Sequence, residues 1–292
     1  GRVAGFWIKK YFDIEVEAEC ASEFGITHPK FDENSLSLCI SQSGETADTL
    51  NWVRGVKEKN VKTIGIVNIE TSSMANMTDL MILTKANQEI GVAATKTYIS
   101  QLASLFALVS CLDSSRRLLR KVDDLREFLI KLKGEDLTNI DQVVDLIKDK
   151  QSVFFLGRGL DYLVAIEGAL KLKEVSYIHV EAVPAGEIKH GSLALISENF
   201  VVIVLATQSQ TREKIKNSIA EVRCRGGLVV VFSPFIDVGT LGDVWIRTAE
   251  CEDDFGPFSL CKPIQLLACM TALKKGINPD KPRNLAKSVT VE

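Results

Sequence analysis

The sequence predicts an α/β protein built from two parallel sheets, each flanked by helices. Two observations favour this class. Short apolar runs typical of strands alternate with longer helical patterns, and the second half of the chain repeats the first. Strands that alternate with helices of this length form βαβ units and a parallel sheet. Because the chain has 292 residues, it is long enough for two such domains.

The individual elements are assigned from the apolar spacing along the chain. Runs rich in Val, Ile and Leu predict strands at 36–40, 63–67, 80–84, 153–156, 201–205, 228–232 and 244–247. Helical spacing predicts helices at 47–59, 95–112, 115–133, 138–148, 162–175, 211–224 and 262–275.

Changes in this pattern divide the chain into four segments. Residues 114–150 are charged and helical with no strand, and we therefore expect them to connect two α/β domains. The other segments are a first domain at 1–113, a second domain at 151–275 and an irregular C-terminal tail at 276–292.

Composition and charge argue against several classes of protein. With 46% hydrophobic and 25% charged residues, the sequence is typical of a globular protein, and its net charge of -3 argues against binding to nucleic acid. The longest apolar run, 98–112, is short for a bilayer span and is interrupted by polar residues. No signal-peptide pattern is present at the start. We therefore expect a cytoplasmic protein that contacts no membrane.

The cysteines and histidines do not form a recognisable metal-binding pattern. The seven cysteines are an odd number, include no Cys-x-x-Cys pair and lie mostly in apolar stretches, and there are only three histidines. This pattern predicts free, buried thiols in a reducing compartment rather than disulfides or a zinc site. We expect neither a metal nor a cofactor.

The most informative segment is residues 41–46, Ser-Gln-Ser-Gly-Glu-Thr, which lies between a predicted strand and a predicted helix. The first N–H groups of a helix lack partners and the helix dipole is positive there, so such a turn attracts anions. Gly44 allows the backbone to approach a ligand closely. The turn offers neutral hydrogen-bond donors but contains no lysine and no set of metal ligands. Such a turn suits binding of a phosphate group on a small molecule. The alternative is a polar turn that only caps the helix.

The internal repeat assigns the phosphate to the first half of the chain. Residues 207–212 stand 166 positions after residues 41–46, but Gln210 replaces the glycine and Arg212 replaces the final threonine. Both replacements should weaken close contact with an anion. The strand at 153–156 and the loop after it have no counterpart in the first half, and we therefore expect the chain to be part of a longer protein.

Five stretches together carry a resemblance to a known family. Residues 41–50 resemble the phosphosugar-binding segment of sugar isomerase (SIS) domains. Four more stretches resemble the isomerase half of the glucosamine-6-phosphate synthase family, the glutamine–fructose-6-phosphate aminotransferases: 89–96, 168–174, 185–191 and 282–292. The resemblance implies two flavodoxin-like SIS domains, at least a homodimer, and conversion of fructose 6-phosphate and ammonia into glucosamine 6-phosphate. Ammonia would come from glutamine, hydrolysed by an N-terminal glutaminase domain of the parent chain.

The resemblance also assigns the substrate-binding residues. It gives the phosphate to Ser41, Gln42, Ser43 and Thr46, and the sugar site to Val92, Ala93 and Ala286. It gives Arg283 a role in substrate binding or in anchoring the tail.

The implied base is Glu174, which would move a proton between C1 and C2 of the sugar with Lys171 beside it. Glu167, Lys171 and Glu174 share one face of a predicted helix. From spacing alone, the alternative is a solvated ladder of ion pairs.

Two further catalytic roles follow from the resemblance. His190 would assist ring opening from the neighbouring subunit, so that the dimer completes the site. Lys287 would form a Schiff base with the open-chain ketose. Read without the resemblance, His190 is a surface histidine in a loop and Lys287 lies in a frayed tail.

The sequence departs from the family in three places. The family usually has serine at Ala94 and proline at Ser192, and its Cys-Gly-Thr-Ser loop would precede Gly1. Two other functions stay open: an SIS-type amino-sugar-phosphate deaminase or deglycase, and a non-catalytic phosphosugar sensor, which would need only the phosphate loop.

Overall fold

The computed structural model describes residues 1–23, 26, 30–132 and 137–288. The chain forms two compact units. Unit 1 comprises Gly1–Leu119 together with Asn284–Glu292, and unit 2 comprises Arg120–Arg283. The tail from Asn284 onward therefore belongs with the first half of the chain.

Unit 1 is built on a three-stranded parallel sheet in the order β1-β2-β3. Its strands are β1 (Leu36–Ile40), β2 (Lys62–Val67) and β3 (Leu80–Leu83). Its helices are α1 (Arg2–Tyr11), α2 (Ala47–Glu58), α3 (Ser73–Met77) and α4 (Lys96–Cys111). Helix α5 (Arg117–Lys131) begins in unit 1 and continues into unit 2.

Helices α1 and α4 of unit 1 pack through aromatic side chains. The fully buried rings of Trp7 and Phe106 lie 5.0 Å apart in an edge-to-face arrangement. A second cluster joins β1, β2, α2 and α3 through buried residues such as Val53, Val67 and Met74.

Unit 2 contains a five-stranded parallel sheet in the order β5-β4-β6-β7-β8. Its strands are β4 (Ser152–Gly157), β5 (His179–Pro184), β6 (Val201–Leu205), β7 (Leu228–Ser233) and β8 (Val244–Arg247). Its helices are α6 (Ile140–Ile147), α7 (Leu160–Ser176), α8 (Arg212–Arg223), α9 (Ile236–Gly239) and α10 (Gly256–Lys274). Strand β6 is apolar and buried along its whole length, as a central parallel strand must be.

The predicted fold class and all seven predicted strands are confirmed. The strand order reverses at β4, which pairs with β5 on one side and β6 on the other. Ligands of open parallel sheets bind at such a point, beyond the carboxyl ends of the strands. The corresponding edge of β1 has no paired strand among the described residues.

Four of these elements were not predicted from the sequence: the helices α1, α3 and α9 and the strand β5. Helix α1 has a clear signal, because Val3, Ala4 and Trp7 form a buried face and Lys9 and Lys10 lie in its last turn. Strand β5 is an edge strand that ends at Pro184, where the missing N–H group is tolerated.

The bounds of the predicted helices agree with the structure within two residues, except at one end. Helix α10 begins at Gly256, six residues before the predicted start at 262, because Pro257 occupies its first turn, where proline is favoured. The predicted end of one helix at 133 and the last four residues of the predicted tail lie outside the described residues.

The prediction that most cysteines are buried is wrong. All seven are free, but only Cys39 and Cys261 are buried, and Cys20, Cys111 and Cys224 are exposed. Short apolar stretches around a cysteine do not fix which way its side chain faces. Within the described ranges, no helix combines the length and apolar character needed to cross a bilayer.

Candidate active site

The turn between β1 and α2 is held together by its own hydroxyl groups. Ser41 Oγ lies 2.9 Å from Thr46 Oγ1 and accepts a hydrogen bond from Gly44 N at 3.0 Å, while Ser43 Oγ accepts one from Glu45 N at 3.2 Å. Gly44 has a φ of +67°, and a Cβ atom there would lie 2.2 Å from Ser72 Oγ. The turn therefore requires glycine at this position.

No carboxylate in the described part of the chain accepts a hydrogen bond from this turn. The acid within it, Glu45, instead accepts a hydrogen bond from Ser73 N at 2.7 Å and so serves the start of α3. The hydroxyls and main-chain donors of residues 41–46 are thus free of a competing negative group, which favours binding of an anion.

The equivalent turn in unit 2 is occupied by carboxylates. Asp161, in the first turn of α7, accepts hydrogen bonds from Thr207 N at 2.8 Å, from Thr207 Oγ1 at 2.5 Å and from Gln208 N at 3.2 Å. Asp253 accepts hydrogen bonds from Ser209 N and Oγ, both at 2.9 Å. Two negative groups therefore fill the place that an anion would need, which supports assigning the phosphate to unit 1.

Burial strongly affects the charge of Asp161. It raises the pKa of this fully buried carboxyl from 3.8 to about 6, although the hydrogen bonds from Thr207 and Gln208 oppose the rise. The group therefore titrates in the mildly acidic range.

Glu89 is a functional candidate that the sequence reasoning missed. Its carboxylate, with 5% of the side chain exposed, accepts hydrogen bonds from Thr95 N at 2.9 Å and from Thr97 Oγ1 at 2.6 Å at the start of α4. It also accepts one from Lys287 Nζ at 2.5 Å. The available signal was its place at the head of the matching stretch 89–96.

The Glu89 carboxyl is held in its charged form. Burial raises its pKa, but the hydrogen bonds from Lys287, Thr97 and the main chain outweigh burial and bring the pKa to about 2. A group with this pKa does not take up a proton near neutral pH. Glu89 is therefore a charged hydrogen-bond partner that fixes the position of the Lys287 amine.

The C-terminal tail contacts the turn at residues 41–46 within unit 1. Lys287 is 26% exposed and bonds to Glu89, and the next residue, Ser288, places its Oγ 3.1 Å from Ser43 Oγ. The predicted lysine and the predicted phosphate turn thus lie in one unit, linked by a tail residue. The alternative of a frayed tail does not apply to Lys287 and Ser288, because these two residues make the contacts.

The other predicted residues of unit 1 lie around this group. Val92, Ala93 and Ala94 are half-buried in the segment that joins Glu89 to α4, and Ala286 is exposed in the tail. Gln42 and Thr46 are half-buried in the turn.

Helix α7 of unit 2 carries an acid–base cluster. Lys171 Nζ lies 2.6 Å from Glu174 Oε2 and 3.6 Å from Glu167 Oε1. The Lys171 side chain is only 5% exposed, whereas Glu174 is 21% exposed. The alternative interpretation of a solvated ladder is therefore wrong, and Glu174 is the more accessible carboxylate.

The charges of this cluster do not balance. Two carboxylates share one ammonium, which leaves a net negative charge when all three groups are ionised. Burial raises the pKa of Glu167; Lys171 opposes the rise and the negative charge of Glu174 adds to it. The excess negative charge therefore lies next to the more exposed Glu174 carboxylate.

Neither His190 nor Arg283 forms a hydrogen bond or an ion pair with this cluster within the described ranges. His190 is exposed, and its imidazole forms no hydrogen bond or ion pair with any residue that the structure describes. The Arg283 guanidinium lies over the ring of Tyr177 at 4.3 Å from its centroid, and Arg283 N donates a hydrogen bond of 2.7 Å to the Tyr177 hydroxyl. Across the described ranges, no three His, Cys, Asp or Glu side chains are grouped to hold a metal ion.

Comparison with known proteins found related sequences and similar folds. The SIS domain model matches residues 1–111 and 146–274. The glutamine–fructose-6-phosphate aminotransferases (isomerizing) of Pseudomonas putida and of Caldanaerobacter subterraneus are each 42% identical to the chain over its full length. The chain spans about half the length of these relatives, or 50% of each.

Two solved structures have similar folds. The C-terminal domain of glucosamine-fructose-6-phosphate aminotransferase from Francisella tularensis has a TM-score of 0.87 and 37% identity, covering 97% of this chain and 83% of that one. Glucosamine-6-phosphate deaminase from Thermotoga maritima has a TM-score of 0.79 and 27% identity, covering 99% of this chain and 86% of that one.

We predict that Gly44→Ala destabilises unit 1 by more than the cost of placing alanine in a left-handed backbone conformation. Gly276 offers a matched control, because it has a φ of +73° with open space around its Cβ position. Gly276→Ala should cost about 1 kcal/mol for the left-handed conformation alone. Gly44→Ala should cost a further ~1–3 kcal/mol for the clash with Ser72. Urea unfolding compares the two, and equal costs would contradict the predicted crowding at Gly44.

We predict that Asp161→Asn removes a pH dependence of stability. Because the folded-state pKa is raised, the contribution of Asp161 is greatest below pH 4 and is lost as pH rises through about 6. The free energy of unfolding should fall by on the order of 3 kcal/mol over this window in the wild type. It should change much less in Asp161→Asn. Asp124→Asn, on an exposed position, is the control for urea unfolding at pH 4 to 7; an unchanged slope in Asp161→Asn contradicts the prediction.

Proposed function

Since the chain belongs to the SIS-domain family and is homologous to the C-terminal half of the glutamine–fructose-6-phosphate aminotransferases, we propose that it is their isomerase module. It would convert fructose 6-phosphate and ammonia into glucosamine 6-phosphate. The observation that carries this proposal is the tail, which brings Lys287 to Glu89 and Ser288 to the phosphate turn of unit 1. A sensor that only binds phosphosugars has no need of such a lysine.

The phosphate would bind to Ser41, Gln42, Ser43 and Thr46. The support is a turn with a glycine at positive φ, several hydroxyls and no bonded carboxylate among the described residues. Val92, Ala93 and Ala286 would line the sugar. Their main-chain groups suit this role because the side chains are small.

Lys287 would form the Schiff base. Its amine adds to the C2 carbonyl of the open-chain ketose and water leaves; ammonia then replaces the lysine at C2 and frees it. Addition needs a neutral amine, and so the lysine proton must pass to another acceptor before the attack. Glu89 keeps the amine in position between these steps.

Glu174 would move the proton that completes isomerisation. It removes a proton from C1 and one is returned at C2, so that the C2 imine becomes an amine and the C1 alcohol becomes an aldehyde. Lys171, held between two carboxylates at 2.6 and 3.6 Å, would fix the orientation of Glu174.

His190 would assist opening of the sugar ring from a second subunit of a homodimer. Its exposure, and the absence of a bonded partner for its imidazole among the described residues, leave it available to another chain. Ammonia would be supplied by a glutaminase domain of the parent protein, which fits the length of the relatives. We propose a cytoplasmic location for this metabolic reaction.

A second candidate is the reverse direction, release of ammonia from glucosamine 6-phosphate. The specific observation in its favour is the similarity to the Thermotoga deaminase over nearly the whole chain. Incubating the full-length gene product with each sugar phosphate, with and without glutamine, separates the two directions. Glutamine-dependent formation of glucosamine 6-phosphate is the result we expect, and ammonia release alone supports the deaminase.

We predict that Glu174→Gln lowers the turnover of the full-length protein by at least about a hundredfold. Binding of fructose 6-phosphate should persist, because the phosphate turn lies in unit 1. Glu198→Gln, an exposed acid of unit 2, is the matched control. Turnover is followed as glucosamine 6-phosphate formed, and binding by calorimetry. Near-normal turnover in Glu174→Gln would remove this residue as the base.

We predict that borohydride traps fructose 6-phosphate covalently on Lys287. Reduction of the imine gives a stable secondary amine that peptide mass spectrometry locates in the tail. Lys287→Arg should abolish the adduct, whereas Lys281→Arg, at an exposed lysine nearby, should retain it. An adduct that survives Lys287→Arg, or none in the wild type, rules out this Schiff base.

A further inference from the structure

The residue that ends α7 has an unusual backbone conformation. Tyr177 caps the helix with a φ of +61° and a ψ of 16°, in the left-handed region. Helices often end in this conformation, but the residue is then usually glycine or asparagine. For a bulky side chain such a conformation is a strained outlier. Something in the folded protein must therefore favour tyrosine here over the residues that would avoid the strain.

The side chain of Tyr177 binds the beginning of the tail in two ways. Its hydroxyl accepts the hydrogen bond from Arg283 N, and its ring faces the Arg283 guanidinium. Neither contact is available to glycine or asparagine. Arg283 is the last residue of unit 2, and the chain enters unit 1 immediately after it. The two contacts thus fix the point from which the tail departs.

We propose that Tyr177 is a positioning residue that anchors the tail so that Lys287 is delivered to its site. This inference rests on the proposed function, because it assumes that Lys287 reacts with the sugar. Lys287 follows Arg283 by only four positions, which limits their main-chain separation to about 14 Å. Anchoring Arg283 therefore restricts the volume that the Lys287 amine can explore and raises its effective concentration at the site.

The position of Tyr177 also connects the two parts of the proposed chemistry. It lies three residues after Glu174 on the same helix, whose last turns carry Lys171 and Glu174. Its main-chain N–H donates to Lys173 O at 3.2 Å and so belongs to the helix end. The helix that holds the base thereby also holds the origin of the tail that carries the lysine.

Three variants separate the elements of this anchor. Tyr177→Phe keeps the ring and the strained backbone but removes the acceptor for Arg283 N. Arg283→Ala removes the guanidinium but keeps the N–H donor. Tyr177→Gly removes both contacts and relieves the strain. Tyr162→Phe, which alters a half-buried tyrosine on the same helix, is the matched control.

Two measurements on the full-length protein report on the tail. One is the rate at which borohydride traps fructose 6-phosphate at Lys287. The affinity for a polyol 6-phosphate, which has no carbonyl, is measured beside it as a control for binding. The other is the rate at which trypsin cleaves after Lys287 in the absence of sugar, a bond that no variant alters. We expect the trapping rate to fall about fivefold in Tyr177→Phe, because one hydrogen bond is lost. The rate should fall further in Tyr177→Gly, which loses both contacts. Cleavage should accelerate in step, and polyol phosphate affinity should stay unchanged.

Tyr177→Gly gives the sharpest test, because strain and anchoring predict opposite effects. Its thermal midpoint should equal or exceed that of the wild type, while its tail becomes more susceptible to trypsin and its trapping rate falls. If Tyr177→Phe and Tyr177→Gly trap and are cleaved at the wild-type rates, the anchor is overturned and the proposed function stands. If the wild type forms no adduct but the variants lose tail protection, the anchor stands and the Schiff base fails.

Discussion

Unpaired main-chain N–H groups arise wherever a parallel strand turns into a helix, and the way each turn satisfies them determines what the protein can bind. In unit 2, Asp161 and Asp253 accept these hydrogen bonds. At the start of α4, Glu89 does so. At residues 41–46 the turn uses its own serine hydroxyls. Carboxylates close the first two turns to anions, and the hydroxyl turn stays suited to one.

The sequence was sufficient where function depends on neighbours in the chain. The strands and the glycine-dependent turn between β1 and α2 were predictable because apolar spacing and a glycine between hydroxyls are local signals. It was insufficient where partners are distant. The contact of Asp161 with Thr207 joins residues that belong to different strand–helix turns, and that of Glu89 with Lys287 joins the middle of unit 1 to its last described residues. Tyr177 gave no signal, since its strain exists only in the folded backbone.

In the repeat, the same helix face makes apolar contacts in one half and ion pairs in the other. Upstream of the turn at 41–46 the two halves align with an offset of 164 residues, because 14–18 (IEVEA) match 178–182 (IHVEA). In this alignment Val3 and Trp7 of α1 stand where Glu167 and Lys171 stand in α7. Trp7 and Lys171 are both buried, but Trp7 packs against Phe106 whereas Lys171 contacts Glu167 and Glu174. In the first half this face is therefore part of the hydrophobic core. Apolar packing stabilises a fold more reliably than a buried ion pair does.

Stability alone does not explain why α7 keeps charges in that position. Replacing a buried ion pair with well-packed apolar residues is often neutral or stabilising, and the equivalent position in α1 holds a tryptophan. The same helix ends in a tyrosine whose backbone is strained, although glycine would fit without strain. Two departures from local preference on one helix, at Lys171 and at Tyr177, are expected where residues serve a site and not the fold. The buried Lys171 ammonium contacts the more exposed Glu174 carboxylate, and the Tyr177 hydroxyl accepts a hydrogen bond from Arg283 N at the start of the tail. If the proposed function holds, both departures place groups that the reaction needs on helix α7.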